Sequence, residues 1–78
     1  MKNQIDLNRH IYEGWRIKDF INDLDPLLSM VMRGESHITP FEGKKELSKW
    51  LQDNQPYYKQ PIPELVEYFS QKYQIVKP

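Results

Sequence analysis

Residues 16–34 read RIKDFINDLDPLLSMVMRG, and whether this stretch forms one helix or two decides the fold. Ile17, Phe20, Ile21, Leu24, Leu27, Leu28, Val31 and Met32 recur at helical spacing. On a 3.6-residue wheel they share an arc of roughly 140°. Pro26 falls on the opposite face, and the apolar pattern runs through it without a phase slip. A proline inside a helix removes one hydrogen bond and costs about 3 kcal/mol, but on the solvent side it bends the helix around a core. One kinked helix over 17–33 is the expectation, with Gly34 as its stop. Taking Arg16 as N-cap puts Trp15 and Phe20 at the positions of a hydrophobic staple and Asp19 where it complements the helix dipole.

Downstream, GESHITPFEG (residues 34–43) reads as a connection. Thr39, Pro40 and Glu42 have capping-box spacing, which Gly43 interrupts with a turn. KKELSKWLQDN then predicts a second helix over 44–53 with a narrow stripe of Leu47, Trp50 and Leu51. Asn54 is a plausible left-handed terminator.

Residues 56–63, PYYKQPIP, hold three prolines but no Gly or Ser, and no two of these prolines are three apart. A flexible linker and a PxxP ligand are both disfavoured. Ile62, Leu65, Val66, Phe69, Tyr73 and Val76 lie within an arc of roughly 100°, predicting a third helix over 63–74 that starts at Pro63. The proline run is therefore a rigid elbow between helices, with one of Tyr57 and Tyr58 packed inward and the other facing solvent. Residues 1–10 are polar and unpatterned and read as a flexible arm. The expected architecture is all-α: an N-terminal arm, 1–10, then a single three-helix domain over 11–78. Its core should include Phe20, Ile21, Leu24, Leu28, Leu47, Trp50, Leu51, Leu65, Val66 and Phe69.

Seventy-eight residues suffice for one core and not two. Cysteine is absent, which disfavours a small secreted domain, and no segment resembles a signal peptide or membrane span. The expected address is the cytoplasm. Charge is even: five Lys/Arg against five Asp/Glu over residues 1–33, four against four over 34–60, two against two over 61–78. Binders of nucleic acid usually concentrate basic residues, so that partner is disfavoured.

Chemistry is mostly missing. His10 and His37 read as loop histidines, since a structural zinc site needs about four ligands. The three glycines, at 14, 34 and 43, are isolated and form no phosphate-cradling loop. Asp19, Asp23 and Asp25 read as a solvated acidic patch without an apolar pocket to raise a pKa. Lys45 and Lys49 lie away from Trp50 on the wheel, against a stacking platform. Helix connections of about nine and ten residues exclude a tight helix-turn-helix. No enzyme activity, metal or cofactor is expected.

The segments IYEGW (11–15), KDFI (18–21), DNQPYYK (53–59) and VEYF (66–69) resemble small uncharacterised proteins of Gram-positive phages and conjugative elements. That resemblance implies a cytosolic accessory protein that acts by binding. Tyrosine is enriched at protein interfaces, and Tyr73 is accounted for by the third helix. Tyr57, Tyr58, Lys59, Tyr12 and Tyr68 are the candidate contacts for a protein partner or a second copy. Nucleic-acid binding in DNA processing is the alternative.

Overall fold

The computed structural model describes residues 5–33 and 41–75. Gly34, His37 and the Thr39–Pro40 cap lie outside the described residues. The chain forms a two-stranded antiparallel hairpin, β1 (His10–Tyr12) and β2 (Trp15–Arg16), followed by helices α1 (Ile17–Met32), α2 (Lys44–Asn54) and α3 (Pro63–Lys72). The fold is mostly helical, and the hairpin corrects the all-α expectation. Tyr12 pairs with Trp15 around a two-residue loop. Its second residue, Gly14, takes φ +76, a left-handed value that a side chain would strain. A strand this short carries no alternating pattern, so the sequence did not announce it.

α1 runs unbroken through Pro26, which faces solvent. At its start, Asp19 Oδ2 accepts the Arg16 backbone N–H at 2.8 Å. Arginine has no acceptor, so only this carboxylate half of a capping box forms. The next free amides are met by main chain: Ile17 N–H donates to the Arg9 carbonyl at 3.0 Å and Lys18 N–H to the Leu7 carbonyl at 2.9 Å. Ile5 and Ile11 pack against the core. Residues 5–10 are thus tied to the helix rather than free, because four N-terminal amides of any helix need acceptors. The staple forms, with the Trp15 and Phe20 rings 5.0 Å apart.

Gly43 caps α2 in an extended conformation rather than making a turn, and Glu46 Oε1 accepts the Glu42 N–H at 2.9 Å. Asn54 is the last helical residue and not left-handed. Pro56 holds Gln55 extended, which ends the helix without a left-handed residue. Pro63 opens α3 as read, and the helix closes in a Schellman arrangement. Gln74 takes φ +59, Ile75 N–H donates to the Ser70 carbonyl at 2.8 Å, and Ile75 is buried.

The core gathers Ile17, Phe20, Ile21, Leu24 and Leu28 from α1, Leu47 and Leu51 from α2, and Leu65 and Phe69 from α3, with Ile62 and Ile75 closing its ends. Trp50 and Val66, expected inside, are half-buried. The Trp50 indole lies at the edge against Phe41, rings 6.2 Å apart and edge-on. Leu27 is 44% exposed, since it falls about 20° outside the buried arc of α1.

Candidate functional site

The hairpin and the elbow meet on one face, and the elbow is built from inside. Gln55 is only 1% exposed. Its Nε2 donates to the Tyr58 carbonyl at 2.5 Å and the Gln60 carbonyl at 2.9 Å, so both amide protons are used. Gln52 Nε2 donates to the Lys59 carbonyl at 2.9 Å. Three elbow carbonyls are therefore held by two glutamines of the preceding segment.

That anchoring forces an unusual tip. Tyr58 N–H donates to the Pro56 carbonyl at 2.5 Å, and Tyr57 between them has φ +62. This is a γ-turn of the rare positive-φ form. A bulky residue in that region is uncommon. The side chain gains little burial in return, since Tyr57 is 71% exposed.

Tyr57 is nonetheless in company. Its ring lies 5.5 Å from Trp15, and 6.5 Å from Tyr12 with the planes within 5° of parallel. Tyr12 is 43% exposed and also touches Tyr58, centroids 6.0 Å apart. Tyr58 is half-buried and packs on the core. The inward–outward split between Tyr57 and Tyr58 is as read, but a γ-turn produces it rather than strand-like alternation.

Beside this patch is an open pocket of about 430 Å³ lined by Gly14, Trp15, Asp19, Asn22 and Asp23. Trp15 belongs to both. Asp19 and Asp23 do project from the outer face of α1, as read, but against an aromatic wall that the wheel did not reveal. One Asp19 oxygen is spent on the helix cap.

The other candidates are placed elsewhere. Lys59 folds back, its Nζ donating to the Gln55 carbonyl at 2.5 Å and toward the Asp53 carbonyl at 3.4 Å. It caps the end of α2 rather than reaching outward. Tyr68 packs edge-on against Phe69 at 5.1 Å, and among the described residues no ring contact joins it to the patch. Trp15 and Gln55 went unremarked as site residues. A Gln between Asn54 and Pro56 gives no sign of burial, and the staple alone accounts for Trp15 in the sequence.

Among the described residues two long-range ion pairs frame the molecule. Arg9 Nε donates to Glu64 Oε2 at 2.5 Å. This bond holds the Glu64 carboxyl below its ordinary range, with burial opposing and its own nearby backbone N–H assisting. Glu64 Oε1 is buried with no hydrogen-bond partner among the described residues. Asp25, expected in a solvated patch, instead accepts from Lys72 Nζ at 2.6 Å and Tyr73 Oη at 2.8 Å. Burial pushes its carboxyl up most strongly, but those two donors together hold it below the usual value. Tyr73 is pushed up, first by burial and then by donating to Asp25.

Among the described residues no group of three or more His, Cys, Asp or Glu is gathered as a metal would require. No described helix is long and apolar enough to cross a membrane. Comparisons with protein-family models, curated proteins and solved structures find no match for the chain.

Proposed function

We propose that this protein is a non-catalytic accessory module of a mobile element, acting in the cytoplasm by binding another protein through Tyr12, Trp15 and Tyr57. The observation that carries the reading is Tyr57: an aromatic residue held at positive φ, mostly in water, on an elbow locked by a buried glutamine. Strain kept at an exposed side chain is characteristic of binding sites. Aromatic anchors bury large area with few rotors, and an anchor already fixed loses less entropy on docking.

The test is affinity capture from host lysate, with sedimentation velocity for self-association, using wild type, Tyr57→Ala, Tyr12→Ala and Asp53→Asn, whose carboxylate faces Lys49 on α2. A partner retained by wild type and Asp53→Asn and lost by both tyrosine variants supports the reading. Identical partners and oligomeric state in folded tyrosine variants would sink it.

The near-parallel Tyr12 and Tyr57 rings favour a second reading, single-stranded nucleic acid, because bases stack on such platforms. Glu13, Asp19 and Asp23 stand where phosphates would pass, which weighs against it. Salt-dependent binding of short single strands that is lost in Tyr57→Ala would reverse the order.

A further inference from the structure

Resting on that protein-binding reading, we infer that the partner presents an extended basic segment, with an arginine seated between the Trp15 ring and the Asp23 carboxylate. The whole chain is neutral, with 11 basic and 11 acidic residues, yet both charged residues that line the pocket beside Trp15 are acidic. Glu13 is exposed in the hairpin loop, and Asp19 and Asp23 line the pocket beside Trp15. Among the described residues no cationic side chain lines the pocket. Arg16 Nη1 donates to the Asn8 carbonyl at 2.7 Å, Arg9 is paired with Glu64, and Lys18 does not line the pocket. Asp23 forms no ion pair or hydrogen bond among the described residues, whereas Asp25 on the same helix and Asp53 on α2 both do.

A planar guanidinium suits this arrangement. It stacks on an indole face while donating in its own plane to a carboxylate. Asn22, at the pocket rim, offers a carbonyl to a remaining donor. Tyr57 and Tyr12, continuous with Trp15 through ring contacts, supply apolar surface for the residues flanking the arginine. A second copy is the lesser fit, because Lys44, Lys45 and Lys49 are borne on a helix and the arginines of its extended segments, Arg9 and Arg16, are already engaged with Glu64 and the Asn8 carbonyl.

The probe is a hexa-arginine peptide titrated into the isotope-labelled full chain, followed by amide and indole NMR shifts. Hexa-citrulline, of equal size without charge, is the control. Saturable shifts at Trp15, Gly14, Asn22 and Asp23 are expected with hexa-arginine only. Asp23→Asn should weaken that binding roughly two- to fivefold, the worth of one exposed ion pair, the contact with the Trp15 face being kept. Asp53→Asn should not change it. Asp19→Asn is avoided, since it removes a helix cap. Equal response to hexa-citrulline, equal weakening by Asp53→Asn, or no saturation overturns the inference. So does a concentration-dependent dimer that shifts Trp15 without peptide. A host partner lost in Tyr57→Ala but indifferent to Asp23→Asn would remove this inference and leave the binding function standing.

Discussion

Tyr57 and Gln74 share a backbone conformation that side chains avoid, and the two serve opposite purposes. Gln74, at φ +59, sits where a helix ends and glycine is usual. Gln74→Gly is expected to stabilise the fold by about 0.5–1 kcal/mol, read as a higher denaturation midpoint. At Tyr57 the comparison to make is between two truncations. Tyr57→Gly should be about 1 kcal/mol more stable than Tyr57→Ala, because both lose the ring but only glycine loses the strain. Equal stability of the pair would show that the positive φ is not maintained in solution. Gln55→Ala strands two partly buried carbonyls, at Tyr58 and Gln60, and should cost about 1–3 kcal/mol. The conformational role of none of these three positions was legible, although Tyr57 was a candidate by residue type. Gln and Tyr carry no conformational signature, and their roles follow from prolines and carbonyls several residues away.

Helices were the legible elements, because their apolar spacing is set locally. α1 ends one residue before its expected limit, α2 one after and α3 two before. Periodicity also carried the reading through Pro26, whose ring points to solvent. Pro26→Ala should restore one backbone hydrogen bond and stabilise α1 by about 2 kcal/mol, the helix penalty of proline less what its stiffness saves in the unfolded chain. A lower thermal midpoint would mean instead that the core is shaped around the bend. The hairpin and the segment before it were illegible for a different reason. The hydrogen bonds that tie residues 7–9 to α1 are accepted by the carbonyls of Leu7 and Arg9, which every residue type possesses. The aromatic patch was half legible: Tyr12 and Tyr57 stood out by type, but their meeting depends on a hairpin the pattern did not show.

At the scale of the whole molecule the described chain spans 36 × 32 × 18 Å, so the core is one layer thick and each helix keeps a wet face. Ion pairs at the rim then link elements far apart in sequence. Asp25 and Glu64 are both held below their ordinary values. As pH falls the unfolded chain therefore takes up protons first, and the stability these carboxyls supply above about pH 4 is lost as pH drops through their lower folded values. Tyr73, pushed upward, acts at the other end: its contribution disappears as pH rises beyond about 10. Denaturant midpoints measured from pH 2 to 7 should fall less steeply for Asp25→Asn and Glu64→Gln than for wild type. Parallel acid limbs would contradict the role of these pairs. Leu24→Ala, in the centre of the single layer, should cost about 2–5 kcal/mol, much of what a domain of this size has.

The two tryptophans stand in unlike optical surroundings. Trp15 lies 5.5 Å from Tyr57, which is itself 6.5 Å from Tyr12, whereas Trp50 pairs with Phe41. Light absorbed by the tyrosines of the patch therefore passes efficiently to Trp15. A Trp50→Phe variant makes Trp15 the sole emitter. Anything that settles between the tyrosines and this indole then changes the colour and yield of its fluorescence, so the protein carries its own reporter at the surface where binding is proposed.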